Sequence, residues 1–162
     1  MAFYLRNDTE QWFSHIKDQK PYIETKFDLY YFCLMLGLAA RRKSPVTGKS
    51  EATEFQKNFV KAFLPVQKLI IGLLIKAELQ RLGIVATEKD QVYDLLTEIV
   101  DPDSSTKLTE AGITKLNEYV SGGYDVLSEE LPTKPYNVED FLRTYTSLLK
   151  QKAKFAFEDS SS

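Results

Sequence analysis

One segment of the chain reads Phe27-Asp28-Leu29-Tyr30-Tyr31-Phe32-Cys33-Leu34-Met35-Leu36-Gly37-Leu38-Ala39. Its apolar residues recur at the 3.6-residue period of an α-helix. Together they form a stripe so wide that almost every side of that helix is apolar. The pattern predicts a helix from Lys26 to about Arg42, with Thr25 as its N-cap. A helix that is apolar nearly all round usually lies at the centre of its fold. We expect Gly37 to permit a close crossing with another helix.

Helical patterns also dominate the rest of the sequence. Phe55, Phe59, Val60 and Phe63 predict a helix from about Ala52 to Leu64. Ser121-Gly122-Gly123 is predicted to end a helix that begins at Thr109, before a short helix from Tyr124 to Leu131. No stretch alternates at period two for long enough to demand a strand. The sequence therefore predicts an all-α fold, a compact bundle of about seven helices that forms a single domain over residues 1–157. Residues 158–162 are predicted to be a frayed acidic and serine tail.

The bulk composition indicates an ordinary globular protein of the cytoplasm. Hydrophobic residues make up 43% of the 162 residues, and Cys33 is the only cysteine, which excludes an intramolecular disulfide framework. The N-terminus does not resemble a signal peptide. The longest apolar windows, Leu29–Ala40 and Leu69–Ile75, are shorter than the roughly 20 residues that a membrane-spanning helix needs. We expect no association with a membrane.

The motifs of common catalytic and cofactor sites are incomplete. With one histidine, His15, and one cysteine, the chain cannot assemble a zinc site of the His/Cys type. Gly48-Lys49-Ser50 resembles the end of a phosphate-binding loop, but the pattern requires glycine where this chain has Lys43. The paired carboxylates, such as Glu129-Glu130 and Glu139-Asp140, fall on exposed helical turns. We expect no catalytic residues, no metal and no cofactor, although an enzyme of an unfamiliar helical class stays open as a minor alternative.

Charge is distributed unevenly between the two halves of the chain. Residues 1–83 hold 13 Lys and Arg against 8 Asp and Glu, whereas residues 84–162 hold 8 against 15. The basic stretch from Arg41 to Lys68 could neutralise phosphates without reading sequence, so a nucleic-acid-binding module is the alternative function. Its candidate residues are Arg41, Arg42, Lys43, Lys49, Lys57 and Lys61. The uneven charge also leaves self-association into a homo-oligomer open.

The apolar segment 27–39 resembles parts of small helical proteins from prokaryotic DNA-modification and phage-defence operons, namely the accessory proteins associated with phosphorothioation. Tyr119-Val120-Ser121-Gly122-Gly123-Tyr124-Asp125 adds to this likeness, which covers roughly a quarter of the chain and includes no catalytic motif. The acidic C-terminal half departs from the DNA-binding members of that group. The resemblance implies a non-catalytic subunit that works beside an ATPase, a nuclease or a modifying enzyme.

The leading hypothesis is a helical accessory or adaptor subunit that docks on a larger protein, such as an enzyme or an ATPase subunit. Large aromatic residues in short or proline-flanked segments are candidates for exposure, and exposed aromatics are typical of protein interfaces. The candidate partner-binding residues are Trp12, Phe13, Tyr22 and Tyr136.

Overall fold

The computed structural model describes residues 2–46 and 51–160, with side chains through residue 154. In chain order the elements are strand β1 (Phe3–Arg6), helices α1 (Asn7–Trp12) and α2 (Lys26–Ala40), strand β2 (Ala52–Gln56), a 3-10 helix (Lys61–Val66), and helices α3 (Gln67–Arg81), α4 (Lys89–Ile99), α5 (Glu110–Glu130) and α6 (Val138–Ser160). Residues 161–162 of the predicted tail lie outside the described residues. Over the described part of the chain the fold is mostly helical, with six α-helices and one small sheet.

The prediction of a purely all-α fold with seven helices is wrong, because β1 and β2 pair as an antiparallel two-stranded sheet. Phe3 pairs with Gln56 and Arg6 with Ala52. Strand β1 spans only four residues, too few for its alternating burial to be distinguished from the start of a helix. The strand buries Phe3 completely, and this ring contacts Phe27 edge-on at a centroid distance of 5.4 Å.

The segment predicted as a helix from Ala52 to Leu64 instead contains β2, a loop and the start of the 3-10 helix. Its aromatic side chains nevertheless pack against the core, around the ring of Phe27. The ring centroids of Phe55, Phe59 and Phe63 lie 6.2, 5.7 and 4.8 Å from that of Phe27. The apolar spacing therefore marked side chains that pack against the core, of which only Phe59 is buried, and was a misleading sign of helical backbone.

Helix α2 lies at the centre of the fold and crosses α5 at very short range, which confirms the expectation for Gly37. A Cβ atom placed on Gly37 would lie 1.9 Å from the carbonyl oxygen of Tyr119, and one on Gly123 would lie 1.7 Å from that of Cys33. The predicted helix end at residues 121–123 is therefore wrong. These glycines lie inside the continuous α5, where they let two backbones touch.

The N-terminus of α2 is fixed by a capping box, as the Thr25 prediction anticipated. Asp28 accepts hydrogen bonds from the backbone N–H groups of Glu24 and Thr25 at 2.9 and 2.8 Å. At the other end Arg41 adopts a left-handed conformation with φ of 52°, which terminates the helix two residues before Lys43. The left-handed Arg41 turns the chain out of the helix at the start of the basic segment.

Candidate functional site

The four candidate partner-binding aromatics do not share one exposed face. Trp12 and Phe13 are 4% and 0% exposed, so neither of these two candidates lies at the surface. The short helix α1 packs them into the core, where both rings contact Phe141 edge-on. Tyr22 and Tyr136 are exposed, and Tyr136 stacks on His15 with ring centroids 4.3 Å apart.

The candidate nucleic-acid-binding residues are also dispersed. Lys57 and Lys61 are exposed, but they lie in a loop and at the start of the 3-10 helix, and not on the α-helix predicted from Ala52 to Leu64. Lys49 lies outside the described residues. Arg41 ends α2 beside an apolar groove that is described below.

Arg42 and Lys43 form ion pairs with acidic side chains from the other half of the chain. Arg42 donates two hydrogen bonds of 2.7 Å to the carboxylate of Glu129. The ammonium of Lys43 lies 3.6 Å from a carboxylate oxygen of Glu118. The Arg6 guanidinium likewise pairs with a carboxylate of α5, that of Asp125, at 2.7 Å. Three basic side chains of the first half are thus paired with carboxylates of the second half.

Lys43 also reaches a buried carboxylate. Its ammonium lies 3.0 Å from Glu78, which is 1% exposed on α3. Burial raises the pKa of Glu78, but the adjacent ammonium of Lys43, together with Tyr119 and Arg81, outweighs it and brings this pKa below its ordinary value of 4.5. Burial, with the nearby Glu78 charge, raises the pKa of Tyr119. The ion pair between ionised Glu78 and Lys43 links the segment after α2 to α3. Its role is to stabilise the fold.

Two cavities flank the segment after α2, with volumes of about 510 and 570 Å³. Their principal polar side chains already have partners within the protein. In the first, Asn117 accepts from the Tyr4 backbone N–H and the Tyr30 hydroxyl, and it donates to the Ala2 carbonyl. In the second, the Arg6 guanidinium is held by carboxylates. Within the described residues no group of three or more His, Cys, Asp or Glu is placed to hold a metal ion.

An apolar groove of about 250 Å³ runs between α2, α3 and α6. Its walls are formed by Met35, Leu38, Ala39 and Arg41 from α2 and its C-cap, by Leu73, Lys76, Ala77 and Gln80 from α3, and by Leu149 and Ala153 from α6. We refer to these residues as the three-helix groove. One small alanine on each wall keeps the groove open. The groove explains why α2 is apolar nearly all round, since one side of the helix packs on α5 and another faces this opening.

The sequence did not single out the three-helix groove. Met35 and Leu38 belong to a stripe that looked entirely like core, and the residues of the other two walls are distant in the chain. The signal that could have indicated it is the width of the apolar stripe on α2, which exceeds what one packing neighbour covers.

Searches of protein-family models, of curated proteins and of solved structures each found no match to this chain. In the described part of the chain, no helix is both long enough and apolar enough to cross a membrane.

Proposed function

We propose that this protein is a non-catalytic helical adaptor that docks on a larger protein, and that the three-helix groove is its docking site. The observation that carries the proposal is the groove itself. It is an apolar opening on the central helix of the fold, walled by side chains from three separate helices. Apolar clefts between helices are common places for a partner to bind.

The lining of the groove favours binding over catalysis. Among the lining residues that the structure describes, the polar ones are Arg41, Lys76 and Gln80, and none of the ten offers a carboxylate, histidine, cysteine or hydroxyl that could act as an acid, a base or a nucleophile. The single cysteine, Cys33, is fully buried in the core, and burial raises its pKa, so its thiol is a poor nucleophile.

We further propose that the partner is a subunit of a prokaryotic DNA-modification or phage-defence assembly in the cytoplasm. This finer proposal rests on the resemblance of the apolar segment 27–39 to accessory proteins of such systems. The alternative, a nucleic-acid-binding module, has less support because Arg42 and Lys43 are engaged by Glu129, Glu78 and Glu118.

Site-specific photo-crosslinking tests the docking site. A photoreactive phenylalanine derivative is placed at Gln80, on the groove wall, or at the exposed Tyr93 of α4 as a matched control. Both variants are expressed in the native host and irradiated in intact cells. We expect a discrete adduct with one protein from position 80 and none from position 93.

Equal adducts from both positions, or none from position 80, would reject the groove as the docking site. Treating the irradiated samples with nuclease separates the two candidate functions. An adduct that nuclease removes would support the nucleic-acid alternative instead.

A further inference from the structure

A separate pocket shares no lining residue with the three-helix groove. It is bordered by the end of α1, the loop between α5 and α6, and the first two turns of α6. Three of its nine lining residues are aromatic, namely Trp12, Tyr136 and Phe141. We call it the indole pocket, after the Trp12 side chain. Its volume of about 310 Å³ is at the lower end of the range for ligand sites, which suits a ligand with a single ring.

The indole N–H of Trp12 lacks a hydrogen-bond partner. Trp12 is 4% exposed, and its Nε1 atom is buried and makes no hydrogen bond within the described part of the chain. A buried N–H group without a partner is rare, because it has lost its hydrogen bonds to water and has gained none in return. A ligand that brings an acceptor to this N–H therefore recovers a hydrogen bond that the fold itself does not make.

Tyr136 offers a flat surface at the same pocket. It is 69% exposed, and its ring stacks on that of His15 with the centroids 4.3 Å apart and the planes 19° from parallel. The stack holds the ring in place while most of the residue stays accessible. A ligand ring that packs on Tyr136 buries apolar area and adds an aromatic contact.

The charges at the pocket favour an uncharged acceptor. None of the nine lining residues is lysine, arginine or histidine, and the one charged residue among them is Asp140. Its carboxylate lies 3.5 Å from the guanidinium of Arg143, and both side chains are more than 70% exposed, so water screens this ion pair. An anionic ligand would lose hydration beside a carboxylate and meet no cation in the wall of the pocket.

We propose that the indole pocket binds an uncharged, single-ring molecule that carries a carbonyl group. The ring packs on Tyr136, and the carbonyl oxygen accepts a hydrogen bond from the indole N–H of Trp12. Binding requires this oxygen to reach a buried atom. The wall side chains of Thr133 and Thr144 are exposed, and exposed side chains change rotamer within nanoseconds, which allows the wall to adjust to the ligand.

Nuclear magnetic resonance tests the proposal at the donor itself. Trp12 is the only tryptophan, so the indole N–H gives a single cross-peak in a proton–nitrogen correlation spectrum of the isotope-labelled, full-length protein. Benzamide is the probe, because it joins one uncharged ring to a carbonyl group. Its titration should move the indole proton downfield until the shift saturates. The absence of a saturable shift would overturn the proposal.

Two matched variants test the role of Tyr136. Tyr136→Ala removes the exposed ring and should weaken benzamide binding about three- to tenfold, through the loss of an aromatic contact. Tyr93→Ala removes a ring of similar exposure on α4, outside the pocket lining, and should leave the affinity unchanged. Unchanged affinity in Tyr136→Ala, or equal weakening in both variants, would contradict the proposed site.

Two related probes test the chemistry of the ligand. Aniline keeps the ring without the carbonyl group, and benzoate replaces the uncharged acceptor with an anion. Both should bind more weakly than benzamide, and aniline should produce no downfield shift of the indole proton. Equal affinity for either probe would overturn the ligand class. Crosslinking from position 80 tests a different site, so this proposal and the docking function can fail separately.

Discussion

Replacing Gly123 by alanine should destabilise the fold strongly, although alanine is the better helix former. The new Cβ would lie 1.7 Å from the Cys33 carbonyl oxygen and 2.8 Å from the Gly37 backbone nitrogen. Because these neighbours are backbone atoms, no side chain can rotate away. To restore ordinary contact distances, α2 and α5 would have to separate locally by about 2 Å.

The magnitude follows from two opposing effects. Overpacking a dense core costs about 1–3 kcal/mol and sometimes more, and a backbone clash at the central crossing falls at the upper end. Alanine returns about 1 kcal/mol through helix propensity. We therefore expect Gly123→Ala to lower the free energy of unfolding by at least about 2 kcal/mol, and the melting temperature by at least about 4–8 °C.

Gly72→Ala is the matched control, since it makes the same substitution within α3 where a Cβ would have no atom within 4 Å. It should raise the free energy of unfolding by about 0.5–1 kcal/mol. Urea titration and thermal melting, both followed by far-ultraviolet circular dichroism, measure the two variants. If Gly123→Ala were as stable as the wild type or more stable, the close helix crossing would be refuted.

Four further predictions concern buried polar groups. Lys43→Met removes the ammonium that lies 3.0 Å from the buried Glu78 carboxylate and leaves beside it the Arg81 guanidinium at 3.7 Å. This change should lower the free energy of unfolding by about 1–3 kcal/mol in urea titration. Since the folded-state pKa of Glu78 lies below 4.5, ionised Glu78 stabilises the fold at neutral pH, and this contribution is lost as the pH falls from about 4.5 through the folded-state value. Glu78→Gln should remove that acid-side loss from a pH–stability profile, and an unchanged profile would argue against the assignment. Asn117→Ala leaves the Tyr30 hydroxyl and the Ala2 carbonyl without their partner, and should cost about 2 kcal/mol in the same urea assay. Because burial raises the pKa of Cys33, a thiol-specific disulfide reagent should label the native protein only at the rate of unfolding, and rapid labelling would contradict its burial.

Local signals in the sequence were sufficient where one segment determines its own structure. The 3.6-residue period and the Thr25 cap placed α2 within two residues of its observed end, and Gly37 was correctly assigned to a close crossing. These features depend on backbone propensity and on residues within one turn of each other.

Features that depend on pairing across the chain could not be derived in the same way. Strand β2 exists because β1, nearly 50 residues earlier, supplies its hydrogen-bonding partner. The glycines at 122 and 123 have the composition of a helix end, and only the presence of α2 against them shows that they serve a crossing. The basic residues after α2 looked available to a ligand because Glu129 and Glu118, which engage them, are distant in sequence.

The most direct test of the central claim is to fill the three-helix groove and measure partner binding. Ala153→Trp introduces a large ring on the groove wall, whereas Gln151→Trp places the same ring on an exposed position of α6 outside the groove lining. The tagged wild type and both variants are purified from the native host, and the protein that crosslinks to position 80 is quantified by mass spectrometry. The docking account predicts that this partner is recovered with the wild type and with Gln151→Trp, and is lost with a folded Ala153→Trp variant. Full recovery with Ala153→Trp would contradict the account.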